Sequence, residues 1–574
     1  MKKLFFIAIS LCFGLAINIS AKVVDDWEYN ATEIYMDKMV MPSVSMASPM
    51  IMPAPAPMAM AKSGNIGLSV GGAKDANNFK ENIQNGYLPK INSITYEGVF
   101  YGHFFDTALK GECKELFCPS YNSKTRISPF TKNEEIFLSV GLNSDIKQSE
   151  FKRKKLNLVV VLDISGSMGS SFDTYYYDGK EKTGEYKTKM QIAKESIVAM
   201  LSHLKSSDRS GVVLFDDRAY RALKLKSVGE RDGEKVKKHI LEITDRGGTN
   251  WSAGYRSGLE LFENIPKDSS YENRIIFLTD AMPNTGELDK DGLFGMAKDA
   301  SERGIHTTFI GIGVDFNNDL VEYVSKIKGA NYHSVHSSDK FSKLLDDEFE
   351  YMVTPLVYDL SLKLDSDAYS IAGVYGSPEA NMATGEIMKV NTLFPSPGTN
   401  KATKGGVILL KLNKNQRASN HDIKLITNYK DVDGKSHTNE QSVNLTNSKN
   451  SGISKAILLS DYVSLMKNWL IDTRASCNDQ PKWIHEKPII LERRICIYPP
   501  LHPMYPFVSE WEKGSCSLNV SKNYKEVFGK FANYYKQEMD KIGDKSLNEE
   551  LEIINLLQKS KEANSNQDDW EMKK

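Results

Sequence analysis

The sequence predicts an α/β fold: a doubly wound, mostly parallel sheet inserted in a β-sandwich, with a C-terminal helical region. Three observations predict it. Leu156-Asn157-Leu158-Val159-Val160-Val161-Leu162-Asp163 and Ile275-Ile276-Phe277-Leu278-Thr279-Asp280 are short, mainly aliphatic runs ending on an acid, as expected of strands buried on both faces of a parallel sheet. Segments with apolar residues spaced by three and four lie between such runs, and strands alternating with helices imply a parallel, doubly wound sheet. Shorter β-type runs, Ile136–Leu142 before this region and Leu360–Leu364, Ile387–Leu393, Gly406–Leu412 and Ile423–Tyr429 after it, place sandwich strands on both sides.

In chain order, residues 1–21 read as a signal peptide. Lys2 and Lys3 precede the apolar stretch Leu4–Ile19, and Ile19-Ser20-Ala21 offers a small-residue cleavage site. A retained membrane anchor is the alternative; no other stretch is apolar enough to span a bilayer. Residues 22–85 read as a disordered Met/Pro/Ala-rich segment. Eight methionines fall between Met36 and Met60, and prolines at 42, 49, 53, 55 and 57 oppose regular structure. Thioethers are soft ligands, so this tract is either a plain tether or a Cu(I) binder. Glu28-Tyr29-Asn30-Ala31-Thr32 has the form of an acidic bacterial N-glycosylation sequon.

Residues 86–154 read as a β flank and 155–352 as the α/β domain. In the latter, Met190, Ala193, Ile197, Met200, Leu201 and Leu204 make an amphipathic helix, and Gly211–Phe215 a buried strand. Helices follow at Lys235–Ile243 and Ala253–Phe262, and Asp289 and Asp291 can cap one carrying Leu293, Met296 and Ala297. His306–Val314 is a strand, and Asp319–Ile327 and Ser338–Met352 are helices. Residues 353–450 are the second sandwich part, where Asp431-Val432-Asp433-Gly434 has turn chemistry. Residues 451–560 are helical. Leu458, Tyr462, Leu465, Met466, Trp469 and Leu470 form one stripe; Tyr524, Val527, Phe528, Phe531, Tyr535 and Met539 form another. Ser546 and Glu549 have capping-box spacing for a last helix. Residues 561–574 read as a disordered tail.

The chemistry gathers at the strand ends, beyond whose carboxyl termini open α/β sheets bind ligands. Asp163, Ser165 and Ser167 alternate, Gly247-Gly248-Thr249-Asn250 is a glycine turn carrying a hydroxyl, and Asp280 ends the second run. Carboxylates and hydroxyls are hard donors suited to Mg²⁺, or to Mn²⁺ or Ca²⁺. Together Asp163-x-Ser165-x-Ser167, Thr249 and Asp280 resemble the metal-ion-dependent adhesion site of von Willebrand factor type A domains. The resemblance covers about residues 155–350, with Ala281 where glycine is usual. It implies that Ser165, Ser167 and Thr249 bind the ion directly or through water, with Asp163 and Asp280 supplying charge. It also implies a free coordination position for a carboxylate from a protein partner. Phe172, Tyr175, Tyr176 and Tyr177 follow in a long loop and would form either an adhesive rim or packing for that insertion.

With 73 basic and 74 acidic residues, net charge −1, no bulk electrostatic argument favours nucleic acid. No phosphate loop, nucleophile elbow or HExxH motif is present, and His333 and His336 would point to opposite faces of a strand. The sequence therefore reads as a binding protein, not an enzyme, that is secreted or periplasmic in a bacterial envelope and active in adhesion or assembly. The alternatives are a periplasmic subunit docking on an enzyme or copper-handling complex, and a metal-dependent hydrolase. Cys113 and Cys118 can close a short loop, whereas Cys477, Cys496 and Cys516 leave one over or form a zinc cluster without a CxxC.

Overall fold

A computed structural model describes residues 25–30, 65–70, 77–109, 111, 113–170, 187–280, 292–312, 323–324, 326–335, 344–377, 379–399, 402–418, 422–475 and 516–560. The first elements are β1 (Asn65–Val70), α1 (Asn77–Gln84), α2 (Tyr96–Tyr101), β2 (Phe104–Asp106), β3 (Cys118–Ile127) and β4 (Glu134–Lys147). The inserted domain runs β5 (Lys155–Asp163), α3 (Lys189–Leu201), β6 (Arg209–Phe215), β7 (Ala219–Ser227), α4 (Gly233–Leu241), α5 (Trp251–Glu260), β8 (Tyr271–Thr279), α6 (Leu293–Glu302), β9 (Ile305–Ile312), β10 (Asn331–Val335) and α7 (Phe349–Met352). There follow β11 (Val357–Ser366), β12 (Tyr369–Tyr375), β13 (Glu386–Ser396), β14 (Ala402–Lys404), β15 (Val407–Lys414), β16 (Ile423–Lys430) and β17 (Ser436–Ser442). The chain closes with α8 (Ser451–Arg474), α9 (Lys522–Ile542) and α10 (Asn548–Lys559).

The inserted sheet has the order β10-β9-β8-β5-β6-β7. All pairs are parallel except β6–β7. Its central strand shows why the run Leu158–Leu162 is apolar throughout. Leu156, Leu158, Val160 and Leu162 face a core shared with α3, α4 and α7, while Val159 and Val161 face one shared with α5 and α6. Both faces are covered, so alternation disappears from the sequence. From β5 the chain crosses to β6 on one side and later returns to β8 on the other. The carboxyl end of β5, at Asp163, is therefore the topological switch point.

Helix α5 lies close against this sheet because Gly254 has no side chain. A Cβ there would stand 2.6 Å from two ring carbons of Phe215. Gly254→Ala is expected to cost about 1–3 kcal/mol by overpacking. Gly233→Ala, with nothing within 4 Å of the added carbon, should stay within about 0.5 kcal/mol of wild type. Thermal denaturation followed by circular dichroism checks the pair; equal losses would refute the packing argument.

The flanking strands form a nine-stranded sheet, β12-β15-β4-β1-β13-β11-β16-β17 with β3 also on β4. Strands from before the insertion sit between strands from after it: β1 pairs with β13, and β4 with β15. The sheet curls around one core holding Leu68, Leu138, Val140, Leu362, Ile387, Leu410 and Leu425. On its outer side Phe137, Val407 and Leu409 pack instead on the helices. The turn at Asp431 is formed as expected, with Gly434 at φ +80° and the Asp433 amide donating to Asp431 Oδ1 at 3.0 Å.

Several sequence expectations are corrected. Residues 22–85 contain β1 and α1, and Phe79 and Ile83 of α1 are fully buried in the helical core. The stretch 86–154 is not purely β, since α2 joins the same core through Val99 and Phe100. The N-cap of α6 is Gly292, which supplies no side-chain bond. The last helix lacks a capping box: Leu547 precedes it without a cap bond, and Asp544 caps the short turn before it. Cys113 and Cys118 are disulfide-bonded, and so is Cys516. The leader, the Met-rich tract, Asp289, Asp291, His336, Cys477 and Cys496 lie outside the described residues.

Residues 25–30, also expected to lack structure, run along the free edge of β7. Trp27 bridges Leu223, and the Glu28 amide donates to the Ala222 carbonyl at 2.8 Å. Asp26 pairs with buried Arg231 at 3.1 Å, Glu28 pairs with Lys224, and the Trp27 ring stacks on His239. The segment's acids meet the strand's bases, which covers a sheet edge that would otherwise be open to pairing.

Candidate metal centre

Three chain segments meet at the carboxyl edge of the inserted sheet. The first leaves β5. Asp163 is fully buried, and its Oδ1 accepts the Ser165 amide at 2.8 Å, closing an Asx turn that fixes the Asp-x-Ser register. A single turn of 3-10 helix, Gly166–Gly169, then carries Ser167. The Ser165 and Ser167 hydroxyls lie 3.0 Å apart.

The second segment ends β8. Thr279 donates its hydroxyl to Asp163 Oδ2 at 2.5 Å, and Ser167 donates to Asp280 Oδ1 at 2.9 Å. The third is the glycine turn. Gly247 adopts φ +68°, a conformation glycine takes without steric cost, and its carbonyl accepts the Gly166 amide at 3.0 Å. This joins the turn to the serine loop. Thr249 is half-buried there, followed by Asn250, which caps α5 by accepting the Ala253 amide at 3.0 Å.

Asp163, Ser165, Ser167 and Asp280 thus form one hydrogen-bonded chain, and the turn bearing Thr249 is tied to it. Burial pushes the Asp163 carboxyl up to about 7, and the charge of Asp280 adds to the rise; bonds from Thr279 and Ser165 oppose it. Two carboxylates held together out of water, with serine hydroxyls beside them, are a donor set short of positive charge. Among the described residues no three His, Cys, Asp or Glu side chains group to hold a metal. The set here is two carboxylates plus hydroxyls, and it fits a hard divalent cation.

The structure adds residues that the sequence reading missed. Lys189, at the start of α3, places its ammonium 2.9 Å from Asp280 Oδ2, both side chains being at least nine-tenths buried. Nothing in the sequence marked it, because its link to Asp280 bridges 91 positions. Asp216 and Asp217, just past β6, are a third acidic strand end. Asp217 accepts the Gly248 amide at 3.0 Å. Asp216 accepts from the Arg246 guanidinium at 3.0 Å, while the Arg246 amide donates to the Ile164 carbonyl at 2.6 Å. The run Val212–Asp217 repeats the aliphatic-to-acid pattern and was the available signal. Phe172, Tyr175, Tyr176 and Tyr177 lie outside the described residues, and His333 is buried in β10, away from this edge.

Residues 158–283 match the family described as von Willebrand factor type A domain. Inter-alpha-trypsin inhibitor heavy chain H1 of Bos taurus is 23% identical over 225 residues, 38% of this chain and 23% of that protein. The human protein of the same name is 23% identical over 219 residues, 37% of this chain and 22% of that protein. This chain therefore spans less than a quarter of the length of the curated relatives it matches. Among solved structures, a von Willebrand factor type A protein from Catenulispora acidiphila aligns with TM-score 0.39 and 15% identity, over 65% of this chain and 84% of that one. Proximal thread matrix protein 1 from the mussel byssus, with a zinc-occupied metal-ion-dependent adhesion motif, aligns with TM-score 0.26 and 18% identity, over 34% and 46%. The family match spans the strands that carry both Asp163 and Asp280, and so this chain contains a von Willebrand factor type A domain.

Proposed function

We propose that this chain is an extracytoplasmic protein-binding protein of a bacterial envelope, acting in adhesion or assembly through a divalent metal site on its von Willebrand factor type A domain. Asp163, Ser165, Ser167, Thr249 and Asp280 would hold Mg²⁺, or Mn²⁺ or Ca²⁺ in its place. The observation that carries this reading is the hydrogen-bonded chain from Asp163 through the two serines to Asp280. It brings two strand ends and a loop to one point at the sheet's switch position. A bound divalent ion would offer an open coordination position to a carboxylate of a protein partner. The chain's own residues fix the carboxylates, supply hydroxyl donors and keep Asp163 from bulk water. The role is binding, without a catalytic step. No described helix is long and apolar enough to cross a membrane, and the leader-like first 21 residues support export.

The test is an affinity capture from envelope extract using the full mature chain in Mg²⁺ or in EDTA, beside an Asp163→Ala variant. A partner held only by wild type in Mg²⁺ is expected. Equal capture under all three conditions would move recognition to the sandwich or helical regions and overturn the metal-bridged reading.

A further inference from the structure

Resting on that reading of the site, we infer that Lys189 is a built-in counter-cation that sets which ligand charge the metal-loaded site accepts. Three observations carry it. The Lys189 ammonium lies 2.9 Å from Asp280 Oδ2, while Asp280 Oδ1 faces the serines and accepts from Ser167 at 2.9 Å. The lysine thus takes the carboxylate oxygen turned away from the serines and leaves the other one toward them. Second, the pair is held out of water, Lys189 being 10% exposed and Asp280 1%, so the charge is not screened away as it is at a surface. Third, Lys189 is fixed from both sides of its own backbone. Its amide donates to the Ser170 carbonyl at 3.0 Å, directly after the serine loop, and Thr188 caps the helix that starts with it. A side chain anchored this way moves with the site.

The charge count follows from these contacts. Two carboxylates and one ammonium leave a single net negative charge. A divalent cation turns this into a single net positive charge, which one incoming carboxylate neutralises. Without the lysine, the same cation would already be neutralised by Asp163 and Asp280, and an anionic ligand would gain little. Lys189 therefore weakens metal binding and strengthens the binding of an anion to the loaded site. It is a positioning and charge-setting residue: it touches Asp280, and through Asp280 the ion.

The experiment uses the full mature chain at pH 8 with Mn²⁺ and acetate as probes. Free Mn²⁺ is counted by electron paramagnetic resonance, and acetate binding to the loaded protein is followed by water-proton relaxation. Relative to wild type, Lys189→Met is expected to bind Mn²⁺ about tenfold tighter, and acetate about tenfold more weakly on the loaded site, from the loss of one nearby buried charge. Lys189→Arg should retain wild-type behaviour in both, whereas a merely structural role for the apolar stem, which methionine also supplies, predicts no change in Lys189→Met. Should Lys189→Met fail to fold by circular dichroism, Lys189→Gln, which keeps a polar end, takes its place with the same expectation. Unchanged or weaker Mn²⁺ binding in the neutral variant overturns the inference, as does equal acetate affinity. Absence of Mn²⁺ binding by the wild type, with Asp163→Ala identical to it, instead overturns the metal reading, so the two failures are distinct.

Discussion

Glu550→Gln is expected to lower the stability of the helical region by about 3 kcal/mol at pH 7 and by far less near pH 2. Glu550 opens α10 and is 1% exposed. Lys80 of α1 donates to its Oε1 at 2.7 Å, and the His103 ring stands 3.3 Å from Oε2. Burial alone would raise this carboxyl; the Lys80 and His103 charges and bonds overcome it and hold the group at about 2, against an ordinary 4.5. A native value depressed by that much is worth about 3 kcal/mol. Because the shift is downward, the contribution is fully present above pH 4.5 and disappears as pH falls through about 2. Among the described residues, Lys80 is then left with Glu549, which is 70% exposed, as its ion-pair partner. Denaturant titrations of both proteins at pH 7 and pH 2.5, read by near-ultraviolet circular dichroism, should show the gap narrow with acid. A gap of the same size at both pH values would mean that Glu550 acts by packing, not by charge. The contact joins α1 to α10 across 470 positions, so the same loss should also loosen the first helix.

That pairing also explains what the sequence disclosed and what it hid. The inserted domain was legible because its signals are local. Leu158 to Leu162 is apolar on every residue because both sheet faces are covered, and Asp163 marks where the strand ends. The antiparallel edge strand β7 was not legible. Its Ala-Tyr-Arg-Ala-Leu-Lys-Leu-Lys-Ser composition is half polar, with part of its outer side met by the acidic, aromatic segment Asp25–Asn30. Neither partner announces the other. The helices α1 and α2 were hidden likewise: they complete a core built mainly by α8, α9 and α10, about 350 or more positions later. At the candidate site, Asp163, Ser165, Ser167 and Asp280 stood out through strand-end position and spacing, and Thr249 through its glycine turn. Lys189 did not, since a lysine opening an amphipathic helix looks solvent-exposed until the fold carries it to Asp280.

Asp163→Asn is expected to reverse its effect on stability with metal. In EDTA at pH 8 the variant should be more stable than wild type; in excess Mg²⁺ it should be less stable. Wild type at that pH buries the Asp163 carboxylate beside Asp280, and its native value is raised to about 7, first by burial and then by that neighbour. A raised carboxyl contributes stability only while protonated, so the contribution is lost as pH rises through about 7 and the full penalty stands at pH 8. Asparagine has the same shape and can still accept from the Ser165 amide and bond to the Thr279 hydroxyl, while shedding the charge. The expected gain is on the order of 1 kcal/mol or more. Magnesium acts in the opposite direction on wild type. Binding to the folded state alone stabilises by about 2.7 kcal/mol at a hundredfold excess over the dissociation constant, and the variant, with one carboxylate fewer, should forfeit most of it. Thermal melting of both proteins in EDTA and in Mg²⁺ is the measurement. If the two keep the same rank in both conditions, Asp163 is a structural acid of the strand end. Crossing ranks would identify it as a group whose burial cost is tolerated for the sake of a bound cation.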